Sequence, residues 1–187
     1  MLSKERIKEA ETNVSSYLRE GLLKKSIANE KVINILLKDG KESLIVAEEI
    51  NQKNTSKLWV IVISYYAMFY YANAVLLKIG YKVGDKIVHK VTADALIVYV
   101  RRKLKESLIE EYEEIEEEAL NIAGIKADSL IETFDFEKGK RSRIQYHTEE
   151  IEKESKALTS LQRAKEFTKE MEKLFANLSQ KKKIVSQ

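Results

Sequence analysis

The stretch Leu58-Trp59-Val60-Ile61-Val62-Ile63-Ser64-Tyr65-Tyr66-Ala67-Met68-Phe69-Tyr70-Tyr71-Ala72-Asn73-Ala74-Val75-Leu76-Leu77 runs for 20 residues without a charge. Its β-branched and aromatic residues suit a strand locally, but its length and lack of turn residues read as one helix. A helix this long can span a bilayer. Its tyrosines argue otherwise: Tyr65, Tyr66, Tyr70 and Tyr71 fall mid-span, whereas membrane tyrosines prefer the two interfaces. Lys57 and Lys78 flank it symmetrically and give no orientation signal. The expectation is a central helix, apolar all round, that neighbours or a second subunit must cover.

Amphipathic helices lie on both sides of it. Residues 3 to about 25 carry Ile7, Ala10, Val14, Tyr17, Leu18 and Leu22 at helical spacing. Asn29 to Gln52 is a second helical region, which Asp39-Gly40 either divides or leaves whole. Asn54, Thr55 and Ser56 are good capping types for the central helix, from about Ser56 to Ile79, with Gly80 as its stop. A loop is expected from Tyr81 to Lys86, then a helix from about Asp85 to Lys103. A glutamate-rich helix follows from Ser107 to about Ala123, ended near Gly124, with a short helix through Phe134 capped by Asp128-Ser129. Thr148 begins or interrupts the last helix, whose buried stripe is read as Ile151, Leu158, Leu161, Ala164, Phe167, Met171, Leu174, Phe175 and Leu178. These elements predict an all-α, up-and-down helical bundle of four to five main helices. Residues 1–180 form its single domain, and 181–187 a basic tail.

Composition agrees and narrows the chemistry. The chain has 187 residues, no proline and no cysteine, which removes the main helix breaker, disulfides and thiol catalysis. Its net charge of +3 is near balance, so total charge indicates neither a nucleic-acid nor a membrane partner. Met1 to Ala10 is charged and lacks the apolar core of a secretory signal, so a cytoplasmic location is expected. Walker-type loops, HExxH, GxSxG and dinucleotide fingerprints are missing. Neither His89 nor His147 has a glutamate three residues before it, which argues against a carboxylate-bridged metal centre. No metal and no cofactor are expected. The acidic run from Glu106 to Glu118 reads as a solvated helix face.

Chemistry concentrates in Lys140-Arg141-Ser142-Arg143-Ile144-Gln145-Tyr146-His147. Two arginines suit a phosphate diester and the charge that grows in its transition state. A histidine titrates near neutrality and can act as general base or acid. If the stretch is helical, Arg143 and His147 share a face, while Arg141 lies about 120° away from His147. That pair converges only if the backbone bends or another subunit contributes. The plainer alternative is a basic cluster that binds acidic neighbours, the Glu110 to Glu118 run among them.

With these residues in view, the chain resembles the HEPN domain superfamily. Arg141 and His147 match its arginine and histidine separated by four to six residues, here with five between them. Ser64 to Ala72 is similar to the YYAMFY-type helix of prokaryotic members, and His89 stands some twenty residues beyond it, another familiar feature. The resemblance, from roughly Ser43 to Phe175, implies a helical bundle, commonly a homodimer whose motifs meet at a cleft. It implies a metal-independent endoribonuclease, toxin-like, in which Arg141 stabilises the phosphorane and His147 moves protons. Lys140, Ser142, Arg143 and Tyr146 would then contact nucleotide or RNA. Ser142 stands where active members favour Asn, Asp or His. The alternative implied is a non-enzymatic HEPN module that binds nucleotide, RNA or a nucleotidyltransferase partner. His89 is read as structural, joining the helix that begins nearby.

Overall fold

The computed structural model describes residues 2–105, 107–134 and 148–185. They form α1 (Lys4–Glu20), β1 (Leu23–Lys25), α2 (Glu30–Gln52), α3 (Lys57–Lys78), β2 (Tyr81–Val83), α4 (Val88–Tyr99), a 3-10 turn (Arg101–Lys103), α5 (Ser107–Phe134) and α6 (Thr148–Val185). The expected all-α helical bundle is what folds. Side-chain caps open three helices: Ser3, Asn29 and Ser56 accept hydrogen bonds from the backbone N–H groups of Arg6, Val32 and Trp59. Gly21 ends α1 at φ 75°, a left-handed conformation that disfavours any side chain.

Side-chain pairs fix the direction of the four long helices. Lys78 meets Glu30 at 2.7 Å and Gly40 faces Tyr71, so α2 runs antiparallel to α3. Lys57 pairs with Glu154 at 3.3 Å and the Tyr71 hydroxyl donates to Glu172 at 2.6 Å, so α6 runs parallel to α3. Arg163–Glu114 at 2.6 Å and Lys156–Glu118 at 3.2 Å set α5 antiparallel to α6. The order α2, α3, α5, α6 is therefore up-and-down, and α1 and α4 pack against each other beside it. α3 is buried mainly by α2 and α6, with α5, α4 and β2 covering more of it. By length and mean hydropathy α3 would suit a bilayer, yet 72% of its most apolar window is already buried within the protein.

Three local expectations are corrected. Residues 23–25 leave the first helix and pair antiparallel with residues 81–83, so part of the expected Tyr81 to Lys86 loop is a strand. The pairing opens after Gly21 has turned the chain, and Gly84 N–H donates to the Leu22 carbonyl at 2.8 Å. The helix expected from Asp85 starts at Val88, after Ile87 in a left-handed conformation, and ends at Tyr99 before the 3-10 turn. α5 passes through Gly124 to Phe134 as one helix. The helical backbone of α6 runs through Val185. Trp59, in the first turn of α3, is 49% exposed.

α2 also passes Gly40 unbroken, and the reason is steric. A Cβ at Gly40 would sit 2.7 Å from a ring carbon of buried Tyr71 and 3.3 Å from the Ala67 carbonyl. The missing side chain lets α2 and α3 approach, which offsets its poor helix propensity. Tyr71 has little freedom to retreat, since its hydroxyl is tied to Glu172. Gly40→Ala, normally worth up to ~1 kcal/mol of added helix stability, is therefore expected to destabilise this protein by about 1–3 kcal/mol through overpacking. Urea unfolding of the two proteins checks the sign.

Candidate functional site

Buried polar groups cluster where α1, α4 and α5 meet. Asp94 interrupts an otherwise apolar run in α4 and is fully buried. A buried carboxylate needs polar partners, and two hydrogen-bond donors and one cation supply them. Asn13 Nδ2 and the Tyr17 hydroxyl donate to Oδ2 at 3.0 and 2.9 Å, while Arg6 forms a 2.7 Å ion pair with Oδ1 that lies off the line of a good hydrogen bond. Arg6 also donates to Glu113 Oε1 from Nε at 3.0 Å and from the Nη2 atom at 2.6 Å. One guanidinium thus holds carboxylates from two helices. Burial pulls the Arg6 pKa down, but Asp94 and Glu113 outweigh it and raise the value, so Arg6 stays charged.

Glu116 lies one turn beyond Glu113 with 9% exposure, and its Oε2 is sealed without a hydrogen-bond donor. Desolvation, reinforced by the charges of Glu113 and Asp94 and opposed by Arg6, pushes its pKa up to about 7. Burial and the charge of Glu116 also raise Tyr65, which is fully buried. Tyr112 packs between Tyr65 and Phe167, with ring centroids 5.7 and 5.3 Å away.

Tyr65 carries this polar interior toward the surface. Its hydroxyl lies 2.7 Å from His89 Nδ1. Burial lowers the His89 pKa, favouring the neutral ring; with the phenol as donor, the imidazole proton sits on Nε2. His89 is half-buried in the first turn of α4, among Phe69 at 4.8 Å, Tyr65 at 5.5 Å and Tyr66 at 6.0 Å. The hydrogen bond links α4 to α3, while part of the ring remains open.

Beside His89 lies a groove of about 290 Å³ between α2, α3 and β2, walled by Phe69, Tyr70, Asn73 and Tyr81. Among the described residues no group of three or more His, Cys, Asp or Glu side chains can hold a metal ion.

The residues expected to act on RNA, namely Lys140, Arg141, Ser142, Arg143, Tyr146 and His147, lie outside the described residues. Their sequence joins α5 to α6, with His147 directly preceding Thr148, the first residue of α6. The acidic run is not simply a solvated face. Glu113, Glu114 and Glu118 pair with Arg6, Arg163 and Lys156, and Glu116 is buried. Sequence reading missed Arg6, Asp94 and Glu116 as a unit. The available signal was Asp94 itself, one carboxylate between Ala93 and Ala95 in an apolar helix.

The chain matches no protein-family model, no curated protein and no solved structure.

Glu116 makes stability depend on pH. Its carboxyl titrates near 4.5 when unfolded and near 7 when folded, so the stabilising contribution is full below about 4.5 and is lost as pH rises through about 7. Glu116→Gln, which cannot ionise, is expected to flatten that decline. Thermal midpoints from about pH 5 to about pH 8 should then fall less in the variant than in wild type. Parallel curves for the two proteins would contradict the assignment.

Proposed function

We propose that the chain is a HEPN-like, metal-independent endoribonuclease. The observation that carries this reading is Arg141 with His147, placed in sequence just before a helix that packs on the tyrosine-rich α3. His147 takes the proton of a ribose 2′-hydroxyl as its oxygen attacks the adjacent phosphorus. Arg141 offsets the extra negative charge of the phosphorane. The bond to the 5′-oxygen then breaks, that oxygen gains a proton, and a 2′,3′-cyclic phosphate remains. Lys140, Ser142, Arg143 and Tyr146 hold the strand beside the reacting phosphate. On the same reading the protein works in the cytoplasm as a homodimer, as a toxin restrained by a nucleotidyltransferase partner.

The test is cleavage of a mixed RNA pool in EDTA. Wild type is expected to leave cyclic phosphate ends, and Arg141→Ala and His147→Ala are each expected to lose roughly 100-fold or more in rate. No cleavage by folded wild type, together with binding that weakens in Arg141→Ala or Arg143→Ala, would replace the enzyme with a non-catalytic RNA or nucleotide-binding module.

A further inference from the structure

Trp59, Ile63, Tyr66 and Tyr70 stand at helical spacings of four, three and four residues, so they share one side of α3. Neighbouring helices leave this side partly open: Trp59 is 49% and Tyr66 37% exposed, while Ile63 and Tyr70 are half-buried. A stripe of three large aromatic rings on an incompletely covered helix face asks for an explanation beyond the core. The groove of about 290 Å³ lies at one end of the stripe. At the other end, Trp59 is two residues from Lys57, beside the start of α6. The distance from Trp59 to Tyr70 is about 16 Å by helical rise.

The groove has the parts that recognise a flat, polar-edged ring. Phe69 and Tyr70 supply aromatic surface at centroids 6.2 Å apart. Tyr81 forms a wall held in place by stacking on Tyr99 at 4.0 Å. Asn73 donates its amide hydrogens inward, to the Phe69 carbonyl at 2.9 Å and the Thr92 hydroxyl at 3.3 Å. Its own carbonyl oxygen is left as an acceptor with no described partner. The lining holds one charged residue, Lys82, and no carboxylate. Lys86 and Lys90 are exposed on either side of His89.

We propose that this groove is a nucleobase pocket for single-stranded RNA, and that the α3 stripe guides the strand away from it. Aromatic faces accept any base, lysines neutralise the backbone, and a fixed amide oxygen accepts from an exocyclic amino group. Covering the same groove with protein would bury Lys82 and the Asn73 carbonyl without evident partners, a penalty that a phosphate and a base avoid. The identity of the strand rests on the ribonuclease reading; the recognition of a base does not.

The experiment measures binding separately from cleavage. Fluorescein-labelled single-stranded RNA 10-mers are titrated into His147→Ala protein with Tyr70, Tyr70→Ala, Tyr70→Phe or Lys82→Ala. Tyr70→Ala is expected to weaken binding roughly 10-fold, the loss of one stacked base, while Tyr70→Phe retains it. Lys82→Ala should lower the slope of log affinity against log salt by roughly 0.7, one phosphate contact. Circular dichroism and thermal midpoints confirm folding, and Tyr70→Phe controls for it. Equal affinity in Tyr70→Ala and Tyr70→Phe overturns the pocket, as does a change in oligomeric state with RNA affinity unaltered, which assigns the face to a second copy. Base binding without any cleavage by wild type leaves the pocket standing and removes only the ribonuclease reading.

Discussion

The 20 uncharged residues within α3 must be kept from water, and that constraint governs nearly every other element. Its small residues, Ala67, Ala72 and Ala74, are fully buried, as are Val60, Ile61, Met68 and Leu76. No single neighbour can cover such a cylinder, so α2 and α6 take most of it and α5, α4 and β2 take more. The charges that fix helix direction sit around this apolar centre. Lys78 shows the compromise: it is 8% exposed, pairs with Glu30, and lies 4.9 Å from the centre of the Phe175 ring. A charge at the end of the apolar helix is kept by giving it an anion and an aromatic face.

The polar interior follows a different logic. A buried carboxylate such as Asp94 contributes little net stability compared with a well-packed apolar residue, yet leaving it without donors would be severe. Arg6, Asn13 and Tyr17 therefore commit α1 to one position against α4, and Glu113 commits the same arginine to α5. Specific pairing of this kind distinguishes one docking of α1 from many that a greasy surface would allow. Glu116 extends the cluster beyond what Arg6 alone can neutralise, and the protein tolerates it by favouring the protonated form.

Much of the architecture was legible because it depends on local patterns. Ser56 and Gly80 bracket α3, and Leu161, Ala164, Phe167, Met171 and Leu174 of the expected α6 stripe are buried, whereas Leu158 of the same stripe is 50% exposed. The rest depends on distant residues. Asp39-Gly40 left its helix either divided or whole, and the close approach of Tyr71 to Gly40 goes with one unbroken helix. Residues 23–25 continue a helical pattern, and only pairing with residues 81–83 makes them a strand. Glu116 is indistinguishable in sequence from its solvated neighbours; helix phase relative to α1 and α4 turns it inward. For the candidate site, the tyrosine-rich helix was visible, whereas the groove needed three elements assembled around it. The Arg141 to His147 motif was legible as chemistry alone, since its residues lie outside those described.

The short β1–β2 ribbon depends on contacts made elsewhere in the chain. Two three-residue strands form a marginal pair by themselves, and their union closes residues 26–80 into a ring of chain. Closing so long a segment from an open coil would carry a large entropic penalty. The antiparallel α2–α3 hairpin has already brought the ends together, since Glu30 meets Lys78, and Ser26 N–H reaches the Gly80 carbonyl at 2.9 Å. The ribbon is thus a clasp at the end of the hairpin, tied to α1 through Gly21 and Leu22 alone. Its strands depend on that helix pairing to hold their ends together, so an all-helical contact supports the only sheet among the described residues.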